Sequence, residues 1–147
     1  MISPLIRIIL ADDSVSDAYF FQAVLNKLPF YTQLSVFETG EELMRHLNEN
    51  SASMPDVLFL DMNLPRKTGL VCLGEIKSNE NLKQLPVVIY TGGFIAVNAD
   101  LLYEKGAHYF VQKGNSESLQ KALEFILGLI ANKNMVRPSA DNFIIKK

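Results

Sequence analysis

Asp12 and Asp13, Asp61, Thr91 and Lys113 share a position: each follows an apolar, strand-like run, at 6–11, 57–60, 87–90 and 109–111. Short continuous runs rich in β-branched residues suit strands buried on both faces, as in a parallel sheet. Parallel strands all finish at one edge, and that carboxyl edge is where open α/β sheets bind ligands. Three carboxylates, a hydroxyl and an amine therefore converge on one patch. Two carboxylates about 4 Å apart repel by roughly 4 kcal/mol at an effective dielectric of about 20. A divalent cation is the simplest remedy. All-oxygen donors with no nearby His or Cys favour Mg²⁺ or Mn²⁺ over zinc. A carboxylate in such a setting can attack a phosphoryl group and become an aspartyl phosphate, with Lys113 neutralising phosphoryl oxygens. The Thr91 hydroxyl can donate a hydrogen bond to the product.

The segments between these runs must be helices that carry the chain back. Ser14 is a candidate N-cap, followed by Ala18, Phe21, Val24, Leu25 and Leu28 at helical spacing until Pro29. Residues 33–37 read as a short strand, and Thr39 with Glu42 as a capping box before Leu43, Met44 and Leu47. The stretch 63–69 is a loop by its Pro, Gly and charge. Leu70, Leu73 and Ile76 predict a helix, residues 97–105 a weaker one, and Leu119, Leu123, Ile126, Leu127 and Ile130 a final amphipathic one. Five β-α repeats predict an α/β fold: a doubly wound five-stranded parallel sheet with helices on both faces. In the flavodoxin-like order 2-1-3-4-5 the switch point lies between strands 1 and 3, which end at Asp12-Asp13 and Asp61.

Taken together, Ile9-Leu10-Ala11-Asp12-Asp13, Leu58-Phe59-Leu60-Asp61-Met62-Asn63-Leu64-Pro65 with Gly69, Tyr90-Thr91-Gly92 and Phe110-Val111-Gln112-Lys113 resemble the response-regulator receiver domains of two-component signalling. The style is closest to the single-domain, phytochrome-associated regulators. The resemblance runs from about Leu5 to Ile130. It implies that Asp61 is the phosphoacceptor, and that Asp13, Asp61 and the backbone carbonyl of Asn63 hold Mg²⁺ (or Mn²⁺), with Asp12 acting through water. It implies that Lys113 pairs with the phosphoryl group and that Thr91 is the switch hydroxyl. Phe110 takes the aromatic switch position on the face made by the fourth helix, fifth strand and last helix. One departure is Gly114, where the family usually has Pro after the lysine, often after a cis bond. A cis bond before a non-proline residue costs about 2.5–4 kcal/mol, so a trans bond is expected.

The implied function is a phosphoprotein that takes a phosphoryl group from a sensor histidine kinase or phosphotransfer protein and then changes its affinity for a downstream protein partner. Domain boundaries follow as a receiver at 5–131 and a segment at 132–147 with no output domain. Some 16 residues fall short of a DNA-binding module. The chain of 147 residues carries 20% charged residues and a net charge of -2, which argues against nucleic acid or anionic membrane as partner. No charged n-region precedes an apolar stretch and no run is long enough to span a bilayer, so the expected location is cytoplasmic. The lone Cys72 fits a reducing compartment.

Bland readings stand beside these. Asp12-Asp13 could only cap a helix, Thr91 could only turn the chain, and Phe110 could be an ordinary core aromatic. Phe143-Ile144-Ile145 could pack on the domain, join a homodimer or follow a disordered linker. Two other functions remain open. A haloacid-dehalogenase-type phosphatase also uses a strand-end Asp, Mg²⁺, Thr and Lys, but needs a second acid where Asn63 stands. A receiver-like binding module without phosphorylation would keep the fold alone. A flavin or dinucleotide protein is disfavoured, because the first β-α turn, Ala11-Asp12-Asp13-Ser14, is acidic and lacks glycine.

Overall fold

The computed structural model describes residues 4–93 and 96–145. Residues 1–3, on which the absence of a signal peptide was partly read, and the last two residues of the 132–147 segment lie outside them. Strand and helix alternate: β1 Leu5–Ala11, α1 Val15–Leu25, β2 Tyr31–Phe37, α2 Gly40–Glu49, β3 Val57–Leu60, α3 Gly69–Ser78, β4 Val87–Thr91, α4 Ala96–Glu104, β5 Tyr109–Gln112 and α5 Ser116–Ala131. The strands form one parallel sheet in the order β2-β1-β3-β4-β5. Fold class and strand order are those expected from the alternating pattern. Among the described residues no helix is long and apolar enough to cross a membrane.

The alternation of side chains along each strand supplies two cores. Ile6, Ile8 and Leu10 of β1 face α1 and α5, packing with Phe21, Phe59, Leu123 and Ile126. Ile9 and Ala11 face the other way, toward Leu43, Leu47, Leu73 and Ile76 of α2 and α3. β3 and β4 are buried along their whole length, which is why they read as unbroken apolar runs. The edge strand β2 alternates in exposure and begins at Tyr31 rather than at 33. Helix α1 stops at Leu25, before Pro29; Leu28 is buried from the turn that follows. Four caps hold helix starts: Ser14, Thr39, Thr68 and Asn115 accept from Asp17, Glu42, Val71 and Ser118 N–H.

Two glycines fix the loop after β3. A Cβ on Gly69 would stand 2.2 Å from the Asp61 carbonyl oxygen, and one on Gly40 would stand 1.9 Å from that of Lys67. Only a residue without a side chain lets α2 and α3 approach this loop so closely. Gly69 N–H also donates to Met62 O at 3.2 Å, and Gly40 N–H to Pro65 O at 3.4 Å.

The segment after α5 packs on the domain. Ile144 bridges Phe110 in parallel, with Phe110 N–H donating to Phe143 O at 3.0 Å and Ile145 N–H to Phe110 O at 2.9 Å. Phe143 is 2% exposed and meets Tyr103 edge-on at 5.3 Å. The Tyr103 hydroxyl donates to Pro138 O at 2.8 Å, and the Arg137 guanidinium lies 3.8 Å from the Tyr103 ring centre. Arg137 Nε donates to Ala107 O at 3.1 Å. Burying Phe143 supplies about 2 kcal/mol, each hydrogen bond about 1 and the cation–π contact about 1.

Gly69→Ala is expected to lower the urea midpoint, by about 1–3 kcal/mol of overpacking. Gly74→Ala, inside α3 with open space at its Cβ position, should raise stability by about 0.5–1 kcal/mol. Equal effects of the two substitutions would remove the close-approach argument.

Candidate phosphoryl-acceptor site

The sheet ladder runs straight into the functional residues and sets their backbones. Asp12 N–H donates to Phe37 O at 3.0 Å, Asp61 N–H to Ala11 O at 3.0 Å and Lys113 N–H to Thr91 O at 2.8 Å. Each side chain therefore leaves from a strand end fixed by its neighbour strand. Among the described residues, the buried polar side chains are Asp12, Asp61 and Thr91, at 1%, 4% and 4% exposure. All three sit at the carboxyl edge.

Lys113 organises the charges. Its Nζ lies 2.9 Å from Asp61 Oδ2, 2.7 Å from Asp12 Oδ2 and 2.9 Å from Asp17 Oδ2. Burial alone would lower the ammonium's pKa, but its close contacts with the carboxylates of Asp12, Asp17 and Asp61 outweigh it and hold Lys113 above its ordinary value. The other oxygen of Asp61, Oδ1, accepts from Thr91 Oγ1 at 3.0 Å and from Asn63 N–H at 3.1 Å. Asp12 Oδ1 accepts from Ser14 N–H at 3.0 Å. Burial raises the Asp12 pKa; Lys113 and the Ser14 N–H counter it only in part, and the Asp61 charge adds to the rise. Tyr90, whose ring centre lies 5.4 Å from Lys113 Nζ, is pushed up to about 12, chiefly by burial.

The sequence-predicted residues Asp12, Asp61, Thr91 and Lys113 are thus in direct contact. Asp13 is exposed and joins them at the rim: one carboxylate oxygen from each of Asp12, Asp13 and Asp61 lies within 4.8 Å of the others. Three anionic oxygens so close, with a single ammonium among them, suit a hard divalent cation. Asn63 contributes its N–H to Asp61. Phe110 lies away from the acids, paired with the segment after α5. The Lys113–Gly114 bond is trans, since the described residues hold no cis peptide.

Asp17 is the residue that sequence reasoning missed. It stands three positions after the Ser14 cap, and a first-turn acid there reads as a solvated partner of the helix dipole. The available signal was that Ser14–Asp17 spacing, which places the carboxylate over the sheet edge.

The response regulator receiver domain family matches residues 8–124, and the chain belongs to it. Response regulator Rcp1 of Synechocystis is 29% identical over 126 residues, covering 83% of this chain and 84% of that protein. The solved Mn²⁺-bound form of Rcp1 superimposes with a TM-score of 0.76 at 30% identity, covering 82% of this chain and 94% of that one. The phosphorylated cyanobacterial phytochrome response regulator RcpA gives 0.77 at 28% identity, over 84% and 95%. A protein-glutamate methylesterase of Bradyrhizobium diazoefficiens is 27% identical over 152 residues, 97% of this chain but 39% of that protein. The receiver reading, with its phytochrome-regulator style, is therefore met by the relatives.

A raised Asp12 pKa has a sign. The fold favours the protonated carboxyl, so this contribution to stability is full below the ordinary value of 3.8 and is lost as pH rises through the folded-state value. Metal-free Asp12→Asn should therefore melt a few degrees above wild type at pH 7, with the gap closing toward pH 3.5. Mg²⁺ should raise the wild-type melting temperature more than that of the variant. A variant less stable than wild type at pH 7 without metal would contradict the assignment.

Proposed function

We infer that this chain is a phosphoacceptor: it takes a phosphoryl group onto Asp61 and thereby switches protein contacts. The observation that carries the reading is the pairing of buried Asp61 with Lys113 on one oxygen and Thr91 on the other. The donor is the phosphohistidine of a sensor histidine kinase or phosphotransfer protein. Asp61 attacks phosphorus through a carboxylate oxygen, the P–N bond breaks, and its electron pair stays on the departing imidazole. Lys113 neutralises the phosphoryl oxygens without taking a proton, since its amine is held charged. The Thr91 hydroxyl turns from the carboxylate to a phosphoryl oxygen. Asp12, Asp13, Asp61 and the Asn63 backbone carbonyl would hold Mg²⁺ or Mn²⁺. Such a cation supplies charge stabilisation to phosphoryl oxygens.

Exposed Val15 and Tyr19 of α1 and Val36 of β2 rim the acids, at 59%, 75% and 41% exposure. They offer the donor protein an apolar landing surface beside a charged site. Asn63, two residues after Asp61, can donate only its amide hydrogens and cannot serve there as a general acid for rapid turnover. That supports a signalling acceptor over a haloacid-dehalogenase-type phosphatase. Residues 5–131 form the receiver, and the signal leaves through protein contacts. The reading places the protein in the cytoplasm.

Intact-mass analysis after treatment with acetyl phosphate should give one Mg²⁺-dependent phosphoryl adduct. Asp61→Asn should lose it, and Lys113→Ala should cut its yield by at least ~10-fold, the scale of a removed charge contact. An Asp61→Asn protein that still gains an acid-labile phosphoryl group would overturn the assignment.

A further inference from the structure

Residues 136–145 behave as a strap across β5 and α4. Its main-chain bonds to β5 fall on one residue, Phe110, from both sides of the peptide: Phe110 N–H to Phe143 O and Ile145 N–H to Phe110 O. Phe143 enters the core cluster that holds Phe110, Ala99 and Leu102. Tyr103 of α4 clasps the strap by its hydroxyl and its ring. The strap also forms one wall of a surface groove of about 640 Å³ whose opposite wall includes Tyr109, Lys121 and Phe125. Phe125 is 47% exposed there. Without the strap, β5 would be a bare sheet edge flanked by aromatic side chains, a ready template for another extended segment.

We propose that the outer edge of β5 is a strand-accepting site that the chain's own residues 136–145 occupy in cis, and that a phosphoryl group on Asp61 loosens them. The coupling rests on the phosphoacceptor reading above. β5 carries Phe110 and leads directly to Lys113, whose N–H is bonded to Thr91 O of β4. The strap fits the arrangement in which Lys113 Nζ meets Asp61 Oδ2 at 2.9 Å and Thr91 Oγ1 meets Oδ1 at 3.0 Å. A phosphoryl group on Asp61 draws both partners to new oxygens and shifts the ends of β4 and β5. Closely packed contacts such as Phe110–Phe143 do not stretch to follow; they hold or they part. Release bares an edge for an extended, apolar segment of a protein partner, of the kind Phe143-Ile144-Ile145 exemplifies. By reciprocity, loosening the strap must tighten the binding of a phosphoryl analogue by the same factor.

The test uses the full chain with Mg²⁺ and beryllofluoride, a stable phosphoryl analogue that binds at equilibrium. Amide hydrogen exchange at Phe110 and Ile145 should quicken at least tenfold on addition, while β1 and β3 amides stay protected. Phe143→Ala and the surface variant Arg137→Ala should each bind beryllofluoride at least threefold tighter than wild type. Binding without any change in exchange at Phe110 and Ile145 would overturn the coupling alone. Absence of Mg²⁺-dependent beryllofluoride binding would overturn the Asp61 reading and the coupling with it. Dimer formation with Ile145 still protected would assign the segment to a second copy and overturn occupancy in cis.

Discussion

One ammonium balances three carboxylates at the carboxyl edge of this sheet. Lys113 meets Asp12, Asp17 and Asp61 within 2.9 Å, and Asp13 waits at the rim. Without that amine the acids would repel one another in a partly desolvated pocket, and the fold would favour their protonation. With it, the cluster still carries excess negative charge, which leaves room for a cation and for an electrophile. The rest of the architecture serves this balance. Buried parallel strands deliver Asp12, Asp61, Thr91 and Lys113 to one place, and ladder hydrogen bonds fix each backbone. Gly40 and Gly69 hold the loop after Asp61 against α2 and α3.

The site is joined to the far side of β5 through a short path. Lys113 directly follows the strand on which Phe110 sits, and Phe110 is bonded on both sides to the segment after α5. A strap held by a few contacts at its anchor can respond to a small change there. Charge at one end of β5 and packing at its edge therefore belong to one element.

Much of this was legible in the sequence. Buried parallel strands leave a continuous apolar run, and a polar residue at the end of such a run can only lie at the sheet edge. Asp61 and Lys113 were visible for that reason. Edge strand β2 was read short because its exposed Tyr31 and half-buried Thr32 carry no such signal. Asp17 was missed because its contact with Lys113 spans 96 residues, and its spacing from the Ser14 cap reads equally well as a solvated first-turn acid. Phe143 left three fates open for the same reason. Its partners, Tyr103 and Phe110, come from other elements, and its hydrogen bonds are to backbone, which every residue offers alike.

The central claim is that Asp61, among the clustered acids, is the one that carries the phosphoryl group. Borohydride reduction of the acetyl phosphate-treated protein converts a phosphorylated aspartate to homoserine, and peptide mass mapping then locates it. The account predicts homoserine at position 61 only, and only when Mg²⁺ was present. Homoserine at position 12, 13 or 17, with Asp61 intact, would contradict it.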